Sequence, residues 1–468
     1  RAARGGGRMK RLWLLGLLAL AGCFNQPKYD RPAVELPPAW KETAPRFAED
    51  GRWWRIYQDA ELEKVVDEAL KGNADLLIAA ARVDEARALL GEANSFFWPS
   101  IDAQAAVSRQ QISTRTATSF PGIPREYSNH RATLNVSYEL DLFGRLRAGS
   151  AAARHELEAS EASREAVRLA LAAQAAKSYF ALRALDEQVS LTRRTVSLRE
   201  EALALQRRRL QGGVISEFEL RQLEAETAVV RAQLPPLERE RDREEVALAV
   251  LLGRTPRSVF QDSVAIKTAF EESPGAPVLP AGMPSEMLLR RPDLVEAERV
   301  LASANARVAQ ARAEMFPSIS LTAFLGSESA ALANLFSGGA AATWQLAAGV
   351  TQPIFQGGRL AARRDAADAR ERAALVQYEQ AIRSAFGEVR TALIAQARAR
   401  ESYDAESARA RALAESHRLA RLRYQNGVAS QLDVIDAERG LLQAQIARIE
   451  ALRAHRAAVA DLFRALGG

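Results

Sequence analysis

Two short stretches of the 468-residue chain place a hydroxyl and an acid at the same spacing. Ser216-x-x-Glu219 follows Gly212-Gly213-Val214, and Ser430-x-x-Asp433 follows Asn426-Gly427-Val428. A serine three positions ahead of an acid at a helix start is the capping-box pattern. Each side chain accepts the other residue's backbone N–H, worth about 1 kcal/mol through the serine. That reading accounts for Glu219 and competes with a functional one at Asp433. Asp436 lies beyond the cap and is the sharper functional candidate. Nothing comparable points to catalysis. His130, His155, His417 and His455 stand apart without metal-ligand spacing, and there is no phosphate-binding glycine loop. The sequence predicts no enzyme, no cofactor and no metal, so any energy must come from a partner.

The single cysteine suggests a different chemistry. Met9-Lys10-Arg11, the apolar run Leu12 to Leu20 and the small residues before Cys23 make an export leader too short to span a bilayer. Those small residues resemble the bacterial lipoprotein signal, in which the thiol takes a diacylglycerol and the cysteine becomes the mature N-terminus. Residues 1–22 would then be signal peptide, and residues 23–58, with prolines from Pro27 to Pro45, an extended tether. As the only cysteine, Cys23 excludes an internal disulfide. No later stretch offers the roughly 18 apolar residues of a transmembrane helix, so membrane attachment falls to the lipid, to strands, or to both. The net charge of +6 is finely mixed, with no basic block interleaved with aromatics, which argues against nucleic acid.

The elements that carry these residues come twice. Gly144-Arg145-Leu146 opens a long Ala/Arg/Glu-rich stretch, and Gly358-Arg359-Leu360 opens another 214 positions later. Gly213 to Ser216 matches Gly427 to Ser430 at the same offset, and Leu252-Gly253 matches Leu466-Gly467. A repeat this long reads as a duplicated domain, residues 59–253 and 293–468, joined by a Pro-rich connector over 254–292. Each copy holds a helical segment, a β-hairpin (about 100–142 and about 318–356) and a long helical hairpin (145–253 and 359–466). The first helical segment breaks at Gly72-Asn73. No proline interrupts Arg145 to Leu210 or Arg359 to Gln425, so each helix would reach on the order of 100 Å. Each ends at a glycine suited to a left-handed cap. Helices of that length must associate laterally, and their alanines permit close axes.

The hairpins have the period of strands. Ala132, Leu134, Val136, Tyr138 and Leu140 alternate with Thr133, Asn135, Ser137 and Glu139, and the same holds around Leu321, Leu325, Trp344 and Leu346. Roughly ten residues is the length of a tilted strand that crosses a bilayer. Four such strands cannot close a barrel, and an open edge in hydrocarbon leaves backbone groups unpaired at several kcal/mol each. The chain should therefore complete a barrel with copies of itself. A dimer gives eight strands and a filled interior, whereas a trimer gives twelve and room for water.

Trp53-Trp54-Arg55-Ile56-Tyr57, Arg290-Arg291-Pro292-Asp293-Leu294, Ala304-Asn305-Ala306-Arg307-Val308 and Phe316-Pro317-Ser318 resemble signature stretches of the TolC-type outer-membrane efflux proteins, in the lipoprotein branch that serves resistance-nodulation-division (RND) pumps. The resemblance runs from Cys23 to Leu466. It implies a mainly α fold with membrane β: a homotrimer with a twelve-stranded barrel in the outer-membrane lipid and a periplasmic α-barrel of long hairpins. It also implies an inner-membrane RND pump and a periplasmic adaptor as partners. Asp433 and Asp436 match the aspartates that ring the family's closed periplasmic entrance, with Glu219 as first-repeat counterpart of Asp433 and Gln222 of Asp436. Six carboxylates per trimer at one constriction would favour cations, and crowding should raise some of their pKa values. Tyr424 matches a latch tyrosine. Ala429 stands where its arginine partner is expected, with Arg421 or Arg423 as substitutes. The tip turns, Gly212, Gly213, Val214, Gly427, Val428 and Ser430 among them, are the expected adaptor docking site. The alternative is a lipid-anchored coiled-coil scaffold or adaptor without a pore. Cargo is not legible.

Overall fold

The computed structural model describes residues 30–32, 51–113, 125–261, 270 and 290–468; the leader, Cys23 and most of the tether and connector lie outside them. Eight helices and four strands occur among the described residues. They are α1 (Ala60–Gly72), α2 (Ala74–Ser95), β1 (Ser100–Gln111), β2 (Glu126–Leu140), α3 (Arg145–Gln211), α4 (Glu217–Leu251), α5 (Pro256–Gln261), α6 (Pro292–Ala313), β3 (Ser318–Ser329), β4 (Ala342–Thr351), α7 (Arg359–Gln425) and α8 (Gln431–Leu466). The two long helices α3 and α7 each run 67 residues. The described residues divide into two compact units that each draw on both repeats, one holding 30–32, 82–113, 125–161 and 296–379, the other 51–81, 162–261, 270, 290–295 and 380–468.

The first unit contains the sheet, antiparallel throughout in the order β1-β2-β3-β4. The hairpins of the two repeats join through β2 and β3, in a register that sets Leu134 opposite Leu325 and Thr133 opposite Gly326. Because side chains alternate faces, the register collects apolar residues on one side: Ile101 and Val136, Leu134 and Leu325, Leu346 and Val350. The other side carries Asp102, Asn135, Thr322 and Gln345. The apolar face is bare, with Trp344 and Leu346 each 75% exposed and Val350 69%. Trp98 and Phe355 flank the sheet, also exposed.

The turn from β2 into α3 explains Glu139 to Arg147. Asp141 accepts the first helical N–H groups, of Leu146 (3.2 Å) and Arg147 (2.9 Å), while Glu139 takes the Arg145 guanidinium in two bonds of 3.0 and 2.6 Å. Gly144 supplies the positive φ of 78°. Phe143 stacks on Phe316 from the second repeat at 5.2 Å. In the same unit Asn305 donates to Glu371 (2.6 Å) and Arg307 to Glu156, so the Ala-Asn-Ala-Arg stretch is a set of inter-helix ties.

The second unit is built on an aromatic core. Trp53–Tyr57, expected within an extended tether, is a 3-10 turn whose Trp53, Trp54 and Tyr57 are buried. Trp53 stacks on Phe463 at 5.3 Å, and the Tyr57 hydroxyl donates to the Arg456 carbonyl at 2.6 Å. The prolines upstream hid this, because nothing local to Trp53 shows that a groove among α3 and α8 awaits it. Asp59 then caps α1 with one oxygen and accepts the Tyr179 hydroxyl with the other (2.8 Å), and Arg183 donates to that hydroxyl (2.7 Å). Burial pushes both Tyr57 and Tyr179 well above the ordinary phenol pKa, so they remain donors. Arg291 binds the Ala465 carbonyl (2.7 Å), Asp293 and Glu388, which accounts for the Arg-Pro-Asp stretch at the start of α6.

Gly72 and Gly253 touch backbone to backbone, and Asn73 between α1 and α2 donates to the Leu251 carbonyl at 2.9 Å. A Cβ on Gly253 would lie 1.9 Å from the Gly72 carbonyl oxygen, and its φ is +72°. G253A is therefore expected to cost about 3 kcal/mol or more, read as a lowered thermal midpoint by circular dichroism in detergent. A midpoint equal to wild type would show that this crossing does not support the fold.

Candidate functional site

The two turns between the long helices are near copies. Val214 N–H donates to the Arg209 carbonyl and Gly213 N–H to that of Leu210, each at 2.9 Å; Val428 N–H donates to Arg423 and Gly427 N–H to Tyr424, each at 3.0 Å. Gly213 and Gly427 both have φ of +72°. This is the Schellman end of a helix, which satisfies its last carbonyls and requires the left-handed residue that glycine adopts without steric cost.

Both succeeding helices open with complete capping boxes. Ser216 N–H donates to Glu219 at 2.9 Å and Ser430 N–H to Asp433 at 2.8 Å, with the return bonds to the serine hydroxyls at 3.3 Å in each. Asp433 is thus engaged by its own helix end. The Ser430 hydroxyl and backbone N–H hold its carboxyl below the usual aspartate range, with Arg423 adding a weaker attraction. Within one chain the shift is opposite in sign to that expected from crowded carboxylates. Asp436 is exposed and pairs with Arg439 one turn on, at 2.9 Å.

Tyr424 sits at the centre of a polar layer joining both repeats. Its hydroxyl accepts from Gln206 and from Arg209, each at 3.2 Å, and donates to Gln431 at 3.3 Å, while Gln206 also donates to Gln431 at 2.6 Å. The arginine that bonds Tyr424 is therefore Arg209 and not Arg421 or Arg423, the substitutes expected from the sequence. Arg209 and Gln206 lie more than 200 positions from Tyr424, so no local pattern could have named them. Leu203, Leu220, Leu223 and Ile435 form the next, apolar layer. Beyond them the buried Arg199 reaches the Glu226 carbonyl (2.7 Å) and Glu438 (3.3 Å). At the turns themselves Phe218 is 75% exposed, Val214 72% and Val428 64%. Among the described residues no group of His, Cys, Asp and Glu could hold a metal ion, and no helix is long and apolar enough to cross a membrane.

A family model described as outer membrane efflux protein matches residues 65–254 and again 283–468. The probable efflux pump outer membrane protein TtgC of Pseudomonas putida is 34% identical over 466 residues, covering 96% of this chain and 93% of that protein. The cation efflux system protein CusC of Escherichia coli is 32% identical over 462 residues, covering 96% of each. Among solved structures, the Campylobacter jejuni CmeC outer membrane channel superposes with a TM-score of 0.87 at 28% identity, covering 95% of both chains.

The capping box gives a test by pH. Because the folded Asp433 carboxyl has a lower pKa than the unfolded one, its contact stabilises the turn at neutral pH and is lost as acid brings the pH down through the folded value. S430A is expected to speed amide exchange at residues 431–434 about fivefold at pH 7. The gap from wild type should narrow in acid; a gap independent of pH would remove the carboxylate from the argument.

Proposed function

The chain belongs to the outer membrane efflux protein family, and we propose that it works as a homotrimer, taking cargo from a periplasmic adaptor and an inner-membrane RND pump. It is an outer-membrane efflux channel, as its relatives are. The trimer rests on the sheet: β1 and β4 are its outer strands, with no further strand beside either among the described residues, and its apolar face is bare. Joining β4 of one copy to β1 of the next pairs both edges, turns the apolar face to lipid and encloses the polar one. Three copies supply twelve strands and a water-filled lumen.

The protein acts as a passive conduit and not an enzyme. The lipid on Cys23 fastens the N-terminus to the membrane, and residues 23–58 lead from it into the first repeat. The gate lies at the helix turns, where Asp436, with Asp433 and Glu219, lines the entrance and Tyr424 latches the hairpins. Tyr424 suits that role because its bonds tie α3 of one repeat to α7 and α8 of the other. The exposed Val214, Phe218 and Val428 beside Gly212, Gly213, Gly427 and Ser430 form the adaptor surface, since apolar side chains at helix ends are costly unless covered.

Planar-bilayer recording of the purified protein, with its intact mass to report acyl chains on Cys23, tests this directly. A trimer with stepwise conductance is expected, and a silent monomer without acyl mass would sink the proposal. Y424F removes a hydroxyl that makes three bonds, one of them to the Arg209 guanidinium, and should raise the open fraction at least about fivefold, the worth of a single neutral hydrogen bond; an unchanged open fraction would take Tyr424 out of the gate. V428D should abolish capture of the adaptor and leave the trimer band intact, whereas loss of the trimer itself would count against a docking role.

A further inference from the structure

The polar face of the sheet carries one cation that its register leaves without the expected partner. Arg131 on β2 lies opposite Glu328 on β3, yet its buried Nε has no hydrogen-bond partner among the described residues. Glu328 is held by the Asn129 amide at 2.6 Å. The Arg131 guanidinium instead lies over the Phe324 ring, 4.4 Å from its centroid, although Phe324 is opposite Asn135, four positions along. Gly326 makes this reach possible. It faces Thr133 between the two, and a Cβ there would lie 2.1 Å from the Ala132 carbonyl oxygen and 2.7 Å from the Thr133 methyl. Thr133 beneath is only 5% exposed.

A guanidinium stacked on a ring keeps its charge and the donors of its fork edge, while the ring fixes its orientation. We propose that Arg131 and Phe324 form a binding station for organic anions, of the carboxylate, sulfonate or phosphate class, on the lumen wall of the β-barrel. The station takes the anionic group at the guanidinium edge and an apolar portion of the solute beside the ring. It rests on the reading of the polar face as the lumen of a trimer, which would carry three such stations. It is separate from the carboxylates of the helix turns and opposite to them in charge.

The test is the anion-to-cation permeability ratio of the reconstituted wild-type channel in a KCl gradient, with sodium benzoate as the probe ligand. R131Q is expected to lower the ratio about threefold, the effect of one unit charge some 6 Å from an ion in water, and to abolish the reduction of current by benzoate. F324A keeps the charge but frees Arg131 to pair with Glu328, so it should reproduce the loss, and F324A/E328Q should recover part of it. A ratio and a benzoate response unchanged in both R131Q and F324A, with trimers intact, would overturn the station and leave the channel standing. Absence of any wild-type current would overturn the pore reading, and the station with it.

Discussion

Backbone N–H and C=O groups cannot go unpaired in hydrocarbon, and the described residues of this chain bring four strands to meet that requirement. The duplication meets part of it internally: β2 of one repeat and β3 of the other pair over eleven registered positions, from His130 with Ser329 to Leu140 with Ile319. The outer strands still need partners, which identical copies could supply at no cost in new sequence. The same pairing sorts the side chains. With register fixed, a one-residue slip would send every apolar residue from Ile101 to Val350 to the wet side, so closure and the separation of lipid from water are one constraint.

The helical unit solves a different problem. Long helices rich in alanine and arginine bury little on their own, and their cohesion is concentrated in a few layers. Trp53, Trp54, Tyr57, Phe180 and Phe463 supply most of the bulk that the alanines lack. Two polar side chains tie this core together: Asp59 serves a helix cap and a phenol at once, and Arg456 donates to the Phe270 carbonyl while lying over two phenyl rings. Removing one member would strand its partners, which costs more than a lost bond at the surface.

Much of this was legible because it is local. The helix ends at Gln211 and Gln425, the capping serines, the break at Asn73 and the strand alternation each follow from residues within a few positions. What was not legible depends on contacts distant in sequence. Gly72 and Gly253 each read as a helix terminus, and only the fold presses them together. Two of the Tyr424 partners, Gln206 and Arg209, come from the other repeat. Pro235 and Pro236 lie inside α4, which continues through them even though each lacks the N–H that an interior turn requires. The second repeat has Ile449 and Glu450 at the matching positions.

The two repeats agree in backbone and differ in chemistry at the turns, and the difference bears on which acid acts. Glu219 and Asp433 perform the same capping task with nearly the same distances. In each, one carboxylate oxygen accepts both a hydroxyl and a backbone N–H, and the group's ion affinity is reduced by the bonds that hold it. Asp436 has no such commitment to its own backbone; its partner is an exposed arginine one turn away, a pairing that water competes with easily. Its first-repeat counterpart is the neutral Gln222. The acid without a commitment to its own backbone therefore has no acidic counterpart in the first repeat, and it shares the second repeat with the Tyr424 hydroxyl.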